Sequence, residues 1–249
     1  MKIAIAGAGG RMGRTVIEAA SADAELELVA AVDLAGSPAI GQPAGRIRIG
    51  AELAAVAEAD VVLDFTRPEG TLALLKHAKA MVIGTTGFTE EDKDRIAQAA
   101  GRLPIVQAAN FAVGVNTAYK LAETAARILG DDYDVEIVEA HHRHKVDAPS
   151  GTALQLGEIV AAALKKKDFV FGRKGVIGER QAKQIGFHSI RGGDIVGEHT
   201  VIFAGVGERV EVTVRSQSRL TYANGALRAA KWLKGRPPAL YAMSDVLGL

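Results

Sequence analysis

The chain has 249 residues, 48% hydrophobic and 24% charged, enough apolar material for one large domain or two smaller ones around a buried core. Thirty Lys and Arg against 29 Asp and Glu leave a formal net charge of +1, so no global basic field marks a nucleic-acid or membrane partner. Cysteine is absent, which excludes disulfides, thiolate metal sites and a cysteine nucleophile, and suits a reducing compartment.

The opening MKIAIAGAGG has too short an apolar run and too many glycines for a signal peptide, and no later stretch reaches membrane-spanning length. A cytoplasmic protein is expected. The apolar runs KIAIAG (2–7), LELVAAVD (26–33), DVVLDFT (60–66), MVIGTT (81–86) and PIVQAAN (104–110) read as strands buried on both faces of a parallel sheet. Helical segments lie between most of them: RMGRTVIEAASA after the first, PEGTLALLKHAKA (68–80) after the third, TEEDKDRIAQAAG after the fourth. Repeated βα units of this kind make a doubly wound α/β domain of Rossmann type.

GAGGRMG follows the first strand and opens a helix, with Gly7, Gly10 and Gly13 in GxxGxxG spacing and an extra glycine at 9. Position 12 is Met, so the strict GxGxxG form is not met. Glycines there allow a tight turn and close backbone approach, and the helix start offers unpaired amides and partial positive charge to a pyrophosphate. Asp33 ends the second strand about 20 residues further on, the spacing at which an acid accepts hydrogen bonds from a ribose. GTTG (84–87) and AANF (108–111) end the fourth and fifth strands at the carboxyl edge, where open α/β sheets bind ligands. Their small residues let a flat ring sit against backbone, and equally suit short turns.

After residue 111 the pattern changes. VNTAYKLAETAARIL reads as a long helix, DVEIVEAHH as a strand and 152–166 as another helix. Residues 185–216 supply three strand-like runs punctuated by RGGD and GVGE, which signal antiparallel hairpins or bulges. This is a second, α+β domain over 112–221. The helical tail TYANGALRAAKWLKG is expected to return to the first domain, which then comprises 1–111 and 222–249.

HHRHKVDAPSGT (141–152) joins the strand to the helix and concentrates three histidines, an arginine and a lysine in five positions. Continued strand alternation would put His141, Arg143 and Lys145 on one face and His142 and His144 on the other. His142, His144 and Asp147 have the spacing of a zinc ligand set, but the interleaved Arg143 and Lys145 oppose a dication, and no metal is expected. The basic run is short and lacks aromatics, which argues against nucleic acid. An anionic substrate accounts for the most residues. Ser150 or Thr152 would cap the helix so that amides and hydroxyls meet a carboxylate, Lys145 would add charge, and a histidine could give a proton at neutral pH.

Together GAGGRMGR, DFTRPEGT, VIGTTGF, AANFAVGVN, EAHHRHKVDAPSGTA, GDIVGEHTV and ANGALRAA closely resemble the 4-hydroxy-tetrahydrodipicolinate reductase family of the diaminopimelate and lysine pathway, almost end to end. The resemblance implies NAD(P)H-dependent reduction of a cyclic imine dicarboxylate to tetrahydrodipicolinate, by a homotetramer built through its substrate-binding domains. It implies that His141 and Lys145 are the catalytic pair, that His142 and Lys145 contact the substrate, and that Ser150, Gly151 and Thr152 hold its other carboxylate. It assigns the nucleotide to Gly7, Ala8, Gly9, Gly10, Arg11 and Met12, to Asp33, and around the nicotinamide to Gly84, Thr85 and Thr86 and to Ala108, Ala109, Asn110 and Phe111. Where the family often has an arginine after the ribose-binding acid, this sequence has Leu34, so NADH is expected to be preferred while NADPH is admitted, with Arg11 and Arg14 near the turn. A related reductase of another small acid, or a nucleotide sensor without catalysis, would keep the fold. The intact HHRHKVDAPSGT argues against the first and the proton donor beside an anion site against the second.

Overall fold

A computed structural model describes residues 1–166 and 168–249. The chain divides into two compact units, Met1–Val113 with Arg219–Leu249, and Gly114–Ser218.

The first unit opens with β1 (Lys2–Ala6), α1 (Arg11–Ser21), β2 (Glu27–Val32) and a small hairpin, β3 (Pro43–Ala44) and β4 (Ile47–Arg48). It continues through β5 (Val61–Asp64), α2 (Pro68–Leu74), β6 (Met81–Ile83), α3 (Glu90–Ala100) and β7 (Ile105–Gln107). In β1, Ile3 and Ile5 enter one apolar cluster with Val16, while Ala4 and Ala6 enter another with Leu74 and Ile96. Both faces of the strand are therefore covered, as the unbroken apolar run requires. Thr89 caps α3 with a reciprocal Thr89–Asp92 box and three acidic residues in the first turn, which oppose the helix dipole's positive end. The helix read over 68–80 stops at Leu74, because the amides of Lys76 and His77 bond back three residues and tighten the turn, so that Ala78 and Ala80 are buried on the way into β6.

The second unit carries α4 (Val113–Leu129), β8 (Asp134–His141), α5 (Gly151–Leu164), β9 (Asp168–Phe171), β10 (Gln184–Arg191), β11 (Gly197–Ala204) and β12 (Arg209–Ser216). The tail forms α6 (Leu220–Leu233), β13 (Leu240–Tyr241) and α7 (Met243–Leu247). It belongs to the first unit, where β13 extends a six-stranded parallel sheet of order β13-β7-β6-β5-β1-β2. The chain leaves β1 toward β2 and returns to β5 on its other side, so the carboxyl ends of β1 and β5 flank the switch point where such sheets bind ligands.

The second sheet is mixed, in the order β12-β11-β8-β10-β9. GVGE makes the expected hairpin between β11 and β12, but RGGD does not. β8 lies between β10 and β11, parallel to the first and antiparallel to the second, so RGGD spans the end of an intervening strand. β9 is a strand that periodicity did not announce; its four residues pair parallel to β10. One face of the sheet packs on α4 and α5 through Ile137, Ile185, Phe187, Val201 and Phe203. Glu139, His141, Ser189, Arg191 and His199 share that face by register, where the apolar packing gives out.

Candidate active site

In the first unit the turn after β1 is defined by clearances. Gly7 has φ +74°, and a Cβ there would lie 2.4 Å from the Phe65 carbonyl oxygen; one on Gly13 would lie 2.1 Å from the Gly7 carbonyl oxygen. No side chain caps α1, whose N-cap is Gly10, and its first turn holds no acid, so its leading amides suit an anion. Asp33 reaches this turn directly: its Oδ2 accepts from the Gly9 amide at 2.6 Å and its Oδ1 from the Leu34 amide at 2.7 Å. Arg11 is exposed, while Arg14 is committed elsewhere, donating to the Pro43 carbonyl at 3.1 Å and to the Gln42 side chain.

The ends of β6 and β7 are joined to the same turn through an aromatic pair. Phe65 fills the space a side chain at Gly84 would need, and lies edge-on to Phe111 with centroids 6.2 Å apart. Phe111 and Ala8 are buried, so their side chains serve the core; Thr86 and Ala109 are exposed, and Ala108 and Asn110 half-buried. Thr85 turns inward and donates to Asp64 at 3.2 Å. Asp64, at the end of β5, also accepts from the Thr66 hydroxyl at 2.6 Å and amide at 3.0 Å and from the Thr71 hydroxyl. Burial pushes its carboxyl up, against the pull of those donors. Nothing local in DVVLDFT marked Asp64 as this hub, because Thr85 arrives from another strand.

In the second unit the strand alternation read through Lys145 stops at His141. The Lys145 amide bonds back to the His142 carbonyl at 3.1 Å, closing a turn braced by RGGD: the Gly192 amide donates to the His141 carbonyl at 3.0 Å, and the Arg143 amide to the Gly193 carbonyl at 3.2 Å. Arg143 and His144 are exposed, whereas His141 is buried and His142 and Lys145 half-buried. Lys145 Nζ pairs with Asp147 at 2.9 Å. The His142 Nδ1 is buried with no partner among the described residues, an unpaid polar atom of the kind a ligand satisfies.

His141 Nδ1 lies 2.6 Å from Glu139 Oε2. Arg191 grips Glu139 with both terminal nitrogens, at 2.8 and 2.7 Å, and donates to the Asp147 carbonyl at 2.7 Å. Ser150 caps α5, its Oγ accepting from the Ala153 amide at 3.2 Å and lying 2.9 Å from His199 Nε2; its amide donates to Glu139 Oε1 at 3.2 Å. The His141 and His199 rings meet edge to face at 5.1 Å. Gly151 begins α5 with open space where a Cβ would point, and Thr152 follows half-buried. Among the described residues no group of three or more His, Asp or Glu side chains is arranged to hold a metal ion.

The electrostatics follow from this packing. Burial pushes the Glu139 carboxyl up, but hydrogen bonds from Arg191, Ser189 and His141 outweigh it and hold the group at about 2. Burial pushes His141 down, Glu139 pulls it back up, and the charges of Lys145 and Arg191 push it down again, leaving it below the ordinary histidine range. Burial and the neighbouring His141 push His199 down to about 4. Glu139, Arg191 and His199 were not singled out by sequence reading, since they stand 49 to 52 residues from the partners that give them meaning.

The sequence matches the family model described as "Dihydrodipicolinate reductase, N-terminus" over residues 1–111, and the one described as "Dihydrodipicolinate reductase, C-terminus" over residues 114–247. The chain belongs to the dihydrodipicolinate reductase family. It is 56% identical to a 4-hydroxy-tetrahydrodipicolinate reductase of Aromatoleum aromaticum, the alignment covering 100% of this chain and 96% of the relative. It is 56% identical to the enzyme of that name from Burkholderia vietnamiensis, covering 100% of both. A dipicolinate-bound dihydrodipicolinate reductase from Paenisporosarcina sp. TG-14 superposes with a TM-score of 0.80 at 26% identity, over 98% of each chain. As a dihydrodipicolinate reductase family member the chain is an oxidoreductase of lysine and diaminopimelate biosynthesis, with a Rossmann-type NAD(P)-binding fold. Among the described residues no helix is long and apolar enough to cross a membrane.

Proposed function

We propose that His141 gives the proton, and Lys145 the accompanying positive charge, in reduction of 4-hydroxy-tetrahydrodipicolinate to tetrahydrodipicolinate. The observation that carries this reading is a buried histidine bound to an ionised carboxylate beside Lys145, one chain turn from the capped, open-faced Ser150–Gly151–Thr152 helix start. The dipicolinate in the Paenisporosarcina relative supports a small dicarboxylate. One carboxylate is assigned to Ser150, Gly151 and Thr152, the other to His142, whose unpartnered Nδ1 it would satisfy, and to Lys145.

A reduced nicotinamide held here would supply the hydride that reduces the substrate at C4, after its hydroxyl has left with a ring hydrogen as water. The glycine clearances and the uncapped start of α1 fit the nucleotide's pyrophosphate, and Asp33 its ribose, with Gly84–Thr86 and Ala108–Phe111 flanking the ring. Negative charge then develops toward the ring nitrogen, where Lys145 lowers its energy and His141 neutralises it. The low proton affinity of His141 suits a donor. The incoming dicarboxylate offsets the repulsion from Lys145 and so favours the charged ring when substrate is bound. We assign NADH as the preferred nucleotide. The homotetramer is assigned to the sheet face away from α4 and α5, where Val138, His188, Thr200 and Thr213 align across four strands.

The test is oxidation of NADH or NADPH with freshly made product of the preceding aldol-type synthase. His141→Gln is expected to lose about 10²- to 10⁴-fold in turnover while nucleotide affinity holds. Wild-type turnover in that variant overturns the role of His141; light scattering at a monomer mass overturns the tetramer.

A further inference from the structure

We propose that Glu139, clamped by Arg191, is the positioning residue of this site, keeping the hydrogen of the neutral His141 ring on Nδ1 and so dedicating Nε2 to exchange with substrate. The inference rests on the reading of His141 as proton donor.

The geometry ties one carboxylate to His141, Arg191 and Ser150. Oε2 faces His141 Nδ1 at 2.6 Å and an Arg191 nitrogen at 2.8 Å; Oε1 takes the other Arg191 nitrogen at 2.7 Å and the Ser150 amide at 3.2 Å. Glu139 is 1% exposed, so it has no water to fall back on. An ionised carboxylate only accepts, so the imidazole nitrogen facing it must carry hydrogen. With the bidentate guanidinium holding the carboxylate charged, the shared hydrogen stays on the ring. Nε2 is then the nitrogen left for chemistry, and Glu139 plays the part that a buried acid plays for a catalytic histidine elsewhere.

The same carboxylate holds the amide of Ser150, so a single group sets the spacing between proton donor and anion turn. Stability alone does not account for it. A buried ion pair is generally matched by well-packed apolar residues, and a pair serving only the fold has no need of His141 or of the Ser150 amide.

The groups facing His141 are Glu139 on its own strand, Arg191 from β10, His199 from β11 and Lys145 from the following turn. Only Glu139 favours the charged ring. Glu139→Gln therefore moves the alkaline limb of the turnover profile to lower pH, and Arg191→Gln, which removes a repelling charge and leaves Glu139, moves it to higher pH. A merely structural role produces no such opposition of sign.

The experiment has two arms. Nitrogen-15 spectra of the histidine rings in the unsubstituted protein are expected to show His141 as the Nδ1–H tautomer; an Nε2–H ring overturns the proposal, and this arm stands whether or not a variant folds. In kinetics, Glu139→Gln is expected to cost about 10- to 100-fold in turnover, part of what a proton donor supplies, with dipicolinate affinity within a few-fold. Unchanged turnover and unchanged limbs in both variants overturn the positioning role. His141→Gln run in parallel separates the readings: if it is fully active the donor assignment has failed, and if it is inactive while Glu139→Gln is normal only the positioning has.

Discussion

The turn after β1 and the loop after β8 both stand where a strand gives way to a helix, yet they are held by opposite means. The first is made of absences: Gly7 and Gly13 leave out atoms so that β1, α1 and the Phe65 carbonyl can close on one another, Gly9 leaves room for Ala39 and Asp33, and no side chain caps the helix. The second is made of side chains. Ser150 caps its helix and meets His199, and below it Glu139 holds both His141 and Arg191. Backbone geometry suits a group that both nicotinamide dinucleotides share, the pyrophosphate, whereas titratable side chains suit a step that moves a proton.

The comparison breaks first at glycine. A Cβ on Gly13 would lie 2.1 Å from the Gly7 carbonyl oxygen and 2.8 Å from the Ala8 Cα, both backbone, so neither can yield without parting α1 from β1. Gly13→Ala is expected to cost about 1–3 kcal/mol or more in stability and to abolish nucleotide binding. Gly151→Ala meets nothing within 4 Å and sits in a helix, where alanine is favoured by roughly 0.5–1 kcal/mol. It should leave the melting temperature level or higher and weaken only the dicarboxylate. Urea titrations of both, with nucleotide and dipicolinate affinities, check this; equal tolerance at the two glycines would sink the contrast.

The same difference explains what could be read from the sequence. The parallel sheet was legible because strands buried on both faces write their burial into consecutive residues, as in KIAIA and VVLD. The second sheet was legible only in part. RGGD looks like a hairpin because a turn is a local signal, while the insertion of β8 between β10 and β11 is a pairing choice made by residues about 50 positions away. β9 is four residues long, too short for alternation to stand out. HHRHKVDAPSGT displayed the cations and the cap, but Glu139 read as one more residue of a strand until Arg191 was folded against it.

Acid acts with opposite sign on the buried Asp64 of the first unit and on the buried groups of the second. His199 is held at about 4 instead of 6.5, so the unfolded chain takes its proton first, and the stability it contributes is complete above 6.5 and is lost as pH falls toward 4. Glu139 and, on the other sheet face, Glu136 are held at about 2 instead of 4.5 by their arginine partners against the upward push of burial; their contributions are lost from 4.5 down through 2. Each shift is worth at most about 3 kcal/mol. Asp64 in the first unit is raised, so its effect runs the other way, favouring the fold below the ordinary aspartate value of 3.8 and losing that as pH rises through its folded value. The expected outcome is a fall in the urea midpoint between pH 6.5 and 4 that His199→Gln reduces, the remainder belonging to His141, followed by a second fall that it leaves alone. A midpoint that rises from 6.5 to 4 would contradict the burial of His199.

The smallest effect lies at the edge of the glycine turn, where a side chain does intervene. Asp33 accepts from the Gly9 and Leu34 amides, which aims its carboxylate at the turn, and Leu34 beside it is 77% exposed with no charge to offer. A 2′-phosphate placed near that carboxylate meets like charge; at an effective dielectric of about 20, unit charges about 4 Å apart interact by roughly 4 kcal/mol. Exposure and salt cut this severely, since the Debye length is only about 8 Å at physiological ionic strength. Arg14 is held by the Pro43 carbonyl and Gln42, so relief for NADPH falls to the exposed Arg11. NADH is therefore expected to be favoured by several-fold to tens-fold in kcat/KM. Leu34→Arg, which puts a guanidinium where the phosphate would lie, should move the ratio toward NADPH, and raising the salt should shrink both the preference and the change. A wild-type ratio that favours NADPH at fixed ionic strength would remove Asp33 as the discriminating group and leave the choice to the backbone turn and Arg11.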